Sequence, residues 1–167
     1  MADWQDLAQF LYGQEFWYSD PLREVEGLTE QQLFWAPNPK CLCILWQAGH
    51  IAHRERTHIG LFLQGIEQDL IPSRYKVFGP DWCSVEEVRS SIDSVGEVFA
   101  WVREVRRQSR AYIASLSDAD WHQVAARSEF GMTVAQWVLI TAVYAAMHLG
   151  RIQLLRALLE GEHDRPC

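Results

Sequence analysis

The residues of this chain best suited to chemistry lie in two stretches about a hundred positions apart. One is Trp46-Gln47-Ala48-Gly49-His50-Ile51-Ala52-His53-Arg54-Glu55; the other is Tyr144-Ala145-Ala146-Met147-His148-Leu149-Gly150-Arg151-Ile152. Both are helical in pattern. In the second, an apolar stripe runs through Val134, Val138, Thr141, Tyr144 with Ala145, His148, Ile152, Leu155 and Leu159 at steps of three and four. Tyr144 and His148 fall on that stripe one turn apart, so their side chains face the same way. A polar group inside a core costs free energy unless something bonds it. One His on one helix and a His or Tyr pair on another is a way for a bundle to build a metal site from facing side chains. The other reading is a set of buried, hydrogen-bonded polar residues with no ligand.

Neutral imidazole nitrogen suits zinc or nickel, and three protein ligands with an open position suit a catalytic centre. His50 and His148 are the first candidates. Tyr144 is ambiguous: a phenolate can ligate, but a pKa near 10 makes that unfavourable unless the metal lowers it. A neutral Tyr144 donating a hydrogen bond to His50 or to a bound water fits equally. On the first helix, Trp46, His50, His53 with Arg54, and Thr57 share a stripe separate from Ala48, Ile51, Glu55 and Ile59. His53 lies about 60° from His50 around the helix and can reach the same cavity. His58 lies about 80° to the other side, facing solvent or packing. Glu55 is on a different face from His50, which points to a supporting or salt-bridging role. His122 and His163 lie in a turn and a tail, where nothing recommends them.

Gly49-His50 with Glu55 five residues on, and a distant His148-x-Gly150-x-Ile152 before a Leu-rich helix end, resemble the DinB-like (damage-inducible, YfiT-related) four-helix bundles. Leu33-Phe34-Trp35-Ala36-Pro37 is similar to the loop leading into that family's first metal His, and the resemblance covers nearly the whole chain. It implies a divalent metal held by one His on the second helix and a His-x-x-x-His pair on the last. Here His50 and His148 stand at two of those positions. Tyr144 stands where the first His of the pair would be, so metal binding is expected to be weak or absent. The resemblance further implies a thiol-dependent S-transferase, or a related hydrolase or isomerase, acting with a low-molecular-weight thiol on a small electrophile. Metal would then hold the thiol as thiolate. The contrary expectation is a non-catalytic, stress-related bundle, ligand-binding or dimerising, whose site decayed when Tyr replaced His. Family members that pair through their bundles imply a homodimer. Long Trp-rich helices in so small a chain, which leave an apolar face uncovered, lead the same way.

The elements that must position these residues read as all-α, a four-helix bundle with long connections in a single domain over residues 1–167. The first helix is predicted from about Asp3 to Val25, with Leu7, Phe10 or Leu11, Tyr18 and Leu22 facing inward and Pro21 kinking or ending it. Thr29-Glu30-Gln31-Gln32 is a capping-box pattern, and Pro37-Asn38-Pro39 forces a loop. The second helix is predicted over 44–64. Ser84-Val85-Glu86-Glu87 opens a third over 84–116, whose Val88, Ile92, Val95, Phe99 and Val102 recur at nearly 3.5 residues. Thr133-Val134-Ala135-Gln136 caps the last, ending near 160.

Composition excludes several functions. Hydrophobic residues make up 49%, too many for a disordered chain, and 167 residues suffice for a sizeable core. A net charge of −7 argues against broad nucleic-acid binding, and Arg103, Arg106, Arg107 and Arg110, interleaved with Glu97 and Glu104, read as a solvated helix face. No apolar run is read as approaching a membrane span of about 18 residues and no signal-peptide pattern opens the chain, so a cytoplasmic location without membrane contact is expected. Cys41, Cys43, Cys83 and Cys167 form no recognisable framework. A phosphate loop, a Gly-x-Ser-x-Gly elbow and paired Glu-x-x-His motifs are missing.

Overall fold

The structure, a computed structural model, describes residues 3–12, 20–68, 70–125, 127–128 and 130–163. Trp4–Tyr12 forms α1, Pro21–Glu24 forms α2 and Glu30–Leu33 forms α3. The helix expected over 3–25 is therefore not continuous into α2. Asp20 caps a new one, its carboxylate accepting from the Leu22 amide at 3.0 Å, and Pro21 takes the first position, where a missing N–H costs nothing. Ala8 and Tyr12 are buried; of the two alternatives Phe10 and Leu11, Leu11 packs half-buried against that cluster while Phe10 is exposed. Tyr18 lies outside the described residues.

Ile44–Glu55 is α4, and it runs without a break into a π-helix, Arg56–Leu63. Gly65, at a positive φ of 69°, turns the chain away. Every residue from Cys43 to Ala52 is buried. Both stripes expected on this helix are thus covered as far as Ala52, because α4 is central and packs on several sides, while His53, Arg54 and Thr57 are half-buried. A 3-10 segment, Ser73–Phe78, lies against it.

Val85–Ser91 forms α5 and Val95–Ser115 forms α6, where one helix over 84–116 was expected. Ile92 leaves the helix at φ −108° and ψ 149°. Ser94 then starts another, its hydroxyl accepting from the Glu97 amide at 3.2 Å. Ser94-Val95-Gly96-Glu97 places a second cap ten residues after Ser84-Val85-Glu86-Glu87. The interruption resets the phase. The fully buried stripe of α6 is Val98, Val102, Val105 and Ile113, while Ile92, Val95 and Phe99 are only partly buried. The Arg run is likewise split. Arg103 and Arg107 are exposed, but Arg106 is buried against Glu55, and Arg110 donates to the Tyr12 carbonyl.

Val134–His163 is α7, opened by reciprocal bonds between Thr133 and Gln136. α7 packs along α4 and touches α1 and α2, while α6 flanks α4 and α1. These four main helices, α1, α4 with its π extension, α6 and α7, make an all-α fold. An isolated bridge between Val124 and Thr133 is the sole strand-like pairing among the described residues. One expectation is corrected by α7: it is long and apolar enough to cross a membrane by length and composition, because residues 134–150 hold no charge. Its polar residues Thr141, Tyr144 and His148 lie on the side facing α4 and the π-helix, where they find partners or one another.

Candidate functional site

His50 enters the core because α4 is covered on all sides; it is 1% exposed and its ring stacks on Trp46 with centroids 4.2 Å apart. Gly49 makes its environment possible. A Cβ there would sit 2.5 Å from the Phe78 ring, so only glycine lets the 3-10 segment lie this close. That approach delivers the Phe78 carbonyl to within 2.5 Å of His50 Nδ1. A carbonyl only accepts, so Nδ1 carries the proton and Nε2 keeps its lone pair. The Tyr144 hydroxyl donates to that Nε2 at 2.6 Å.

From the other side, α7 presents His148 one turn after Tyr144, 2% exposed, with its ring 4.7 Å from those of both His50 and Tyr144. Its Nδ1 lies 2.6 Å from Gln47 Oε1, which fixes the proton on Nδ1. Arg151 Nη1 stands 3.5 Å from the same nitrogen, at the limit of contact, and as a donor it cannot compete with the short bond to Gln47. Nε2 of His148 is buried and has no hydrogen-bond partner. The three side chains expected to converge do so, and each imidazole has Nδ1 held by an oxygen and Nε2 aimed away from it.

Both imidazoles are neutral at physiological pH. Loss of hydration pulls His50 down to about 3, with the bond to Phe78 opposing and His148 and Arg54 adding to the fall. His148 is pulled down to about 4 by the same loss of hydration and by the charges of Arg151 and Arg54. Neutral imidazole is the form that binds a cation. Arg54 sits 5.9 Å from the Tyr144 ring centroid, donates to the Gly79 carbonyl at 3.3 Å and lies 3.5 Å from Asp81.

The remaining candidates separate from the centre. His58, expected to face solvent or pack, is buried and bonds through Nδ1 to the Thr141 hydroxyl at 3.1 Å. Continuous α geometry would leave it about 80° from His50, but the wider turn of the π-helix rotates less per residue and swings it toward α7. His53 packs beside Gly79, with Nδ1 buried and unpartnered, and makes no ring contact with His50, His148 or Tyr144 among the described residues. Glu55 forms the expected salt bridge, 3.1 Å from Arg106. His122 is exposed, and the His163 side chain lies outside the described residues. Among the described residues, no three His, Cys, Asp or Glu side chains are grouped to hold a metal. The donor set is therefore two imidazoles and a phenol.

Gln47 and the Phe78 carbonyl are the functional groups that the sequence reading did not single out. Gln47, three residues before His50, carried a signal: a polar side chain in an otherwise apolar buried turn. Phe78 acts through its backbone, which side-chain patterns do not reveal. A cleft of about 310 Å³ opens beside this layer, lined in part by Lys40, Gln47, Asp81, Trp82 and Arg151. Residues 19–152 match the family described as the DinB superfamily. No curated protein and no solved structure matches the chain.

Proposed function

The chain belongs to the DinB superfamily, and on that premise we propose that it is a divalent-metal-binding member, with zinc or nickel held by His50, His148 and Tyr144. A low-molecular-weight thiol would serve as nucleophile toward a small electrophile, as in an S-transferase or a related isomerase or hydrolase. The observation that carries the metal reading is the unpartnered, buried Nε2 of His148. A buried acceptor left unmade costs free energy, and here it lies beside a second neutral imidazole and a phenol. The donor set fits the ion in chemical type. It is weaker than three imidazoles, because Tyr144 must surrender a proton to become a good ligand.

When bound, the ion would supply Lewis acidity and hold a thiol as thiolate at neutral pH. The chain's own residues do the rest. Gln47 and the Phe78 carbonyl hold the two Nδ1 protons, which orients both rings. Arg54 and Arg151 put positive charge around them, favouring an anionic partner.

One observation favours a second reading, a non-catalytic stress-related bundle without metal: the Tyr144 hydroxyl already satisfies His50 Nε2 at 2.6 Å. Metal analysis of protein purified without added metal, followed by turnover of a soft electrophile with a panel of low-molecular-weight thiols, separates the two. Near-stoichiometric zinc or nickel with thiol-dependent turnover supports the first reading. Metal-free protein inert toward every thiol supports the second.

A further inference from the structure

The cleft of about 310 Å³ beside the histidine layer has Lys40, Gln47, Trp82, Arg151, Leu154 and Leu155 in its walls, and none of His50, Tyr144 and His148. It lies behind His148, on the side of Nδ1. Gln47 Oε1 accepts from that nitrogen at 2.6 Å, and Arg151 Nη1 stands 3.5 Å from it. The walls are of two kinds. Leu154 (60% exposed) and Trp82 (53%) leave large apolar side chains uncovered there. Lys40 and Arg151 are exposed cations, and among the described residues neither has a carboxylate partner. Asp81, the acidic residue of the lining, lies 3.5 Å from Arg54 instead.

Two groups in these walls lack what an anion would give them. Gln47 is 4% exposed, and its carboxamide is half used: Oε1 holds the His148 proton, while the Nε2 donors make no hydrogen bond among the described residues. A donor buried this far costs free energy when left without an acceptor. Arg151 is the second. His148 Nδ1 carries its proton, so the guanidinium beside it faces another donor, an unfavourable contact with no acceptor between them. An oxygen anion entering the cleft accepts from both.

We infer that this cleft is a binding site for a small organic carboxylate with an apolar or aromatic body. The carboxylate takes paired N–H donors from the Arg151 fork and one from Gln47 Nε2, with Lys40 adding charge. The body covers Trp82 and Leu154, and a cavity of this size holds a compact ligand. Carboxylate suits the site better than phosphate for two reasons. Two cations with Asp81 close by match a single negative charge, and a planar guanidinium matches a planar anion. Binding draws Arg151 off His148 and leaves the bond between Nδ1 and Gln47 in place, so the ligand steadies the ring from behind. The site uses no metal and stands independently of the metal reading.

The test titrates phenylacetate into the full chain by calorimetry, with and without zinc, beside neutral phenylacetamide and inorganic phosphate. Phenylacetate is expected to bind in both conditions, and more tightly than either comparison compound. Arg151→Gln is expected to weaken it about tenfold, the worth of a charge-assisted hydrogen bond, and Lys40→Gln by less. Both side chains are exposed, so helical circular dichroism is expected to stay unchanged. In nuclear magnetic resonance spectra of the wild type, the Gln47 carboxamide and Arg151 guanidinium signals are expected to move with phenylacetate, a readout that survives if a variant disturbs folding. No binding, unmoved Gln47 signals, or full affinity in a folded Arg151→Gln overturns the proposal, as does phenylacetamide or phosphate binding as tightly. Binding that appears only with zinc would place the carboxylate on the metal and equally overturn it.

Discussion

The hydroxyl of Tyr144 donates to Nε2 of His50 at 2.6 Å, while Nε2 of the neighbouring His148 has no partner. The two imidazoles are thus held in one tautomer but used unequally. Tyr144→Phe removes only the hydroxyl and leaves a second buried acceptor unpaired, so stability is expected to fall by about 0.5–1.5 kcal/mol. Zinc affinity is expected to fall as well, since the third donor is lost. Tyr144→His restores an imidazole one turn from His148 and is expected to raise it. Urea denaturation and metal titration of the three proteins check this; identical affinities in all three would remove Tyr144 from the site.

Gln47 is expected to matter as much as a ligand. Gln47→Leu strips the acceptor from His148 Nδ1, which frees the tautomer. The expected costs are about 1–3 kcal/mol of stability and about 10–100-fold in metal affinity. Nitrogen chemical shifts of the His148 ring report the proton directly. A His148 that keeps its proton on Nδ1 in Gln47→Leu contradicts the assignment.

The neutral histidines make stability depend on pH. Burial holds His50 at about 3 and His53, His58 and His148 at about 4. In the unfolded chain they titrate near 6.5. As pH falls below about 6.5 the unfolded state takes up protons first, so it is favoured. The contribution of these groups is whole above that value and is lost as pH falls toward 4 and then 3. Urea unfolding at pH 7.5, 5.5 and 4.5 is expected to show midpoints dropping in that order. A flat profile would mean the rings are solvated.

Glu55 and Arg106 form a buried pair at 3.1 Å. Arg106→Met alone leaves an uncompensated carboxylate and is expected to cost about 3–5 kcal/mol, whereas Glu55→Leu/Arg106→Met is expected to recover most of that. Thermal or denaturant unfolding of the single and double variants decides it, and a double variant no more stable than the single would place the Glu55 charge in another role.

Much of this was legible in the chain because local rules agree with the fold. The cap pairs at Thr29, Ser84 and Thr133 each open a helix where they stand. The stripe from Val134 to Leu159 faces inward, and it carries His148 to His50. Legibility failed where a local signal was overridden. Periodicity ran through Ile92 although Ser94 caps a new helix there. The π-helix moved His58 by changing the turn itself, which residue spacing does not encode. The carbonyl of Phe78 reaches His50 from 28 positions away through a contact that Gly49 alone permits.

Calorimetric titration of zinc and nickel into wild type and His148→Ala tests the proposed metal role of His148 Nε2 most directly. One site per chain is expected in the wild type, lost in His148→Ala while the helical spectrum is kept. Negligible binding by both proteins, or equal binding by both, would contradict it.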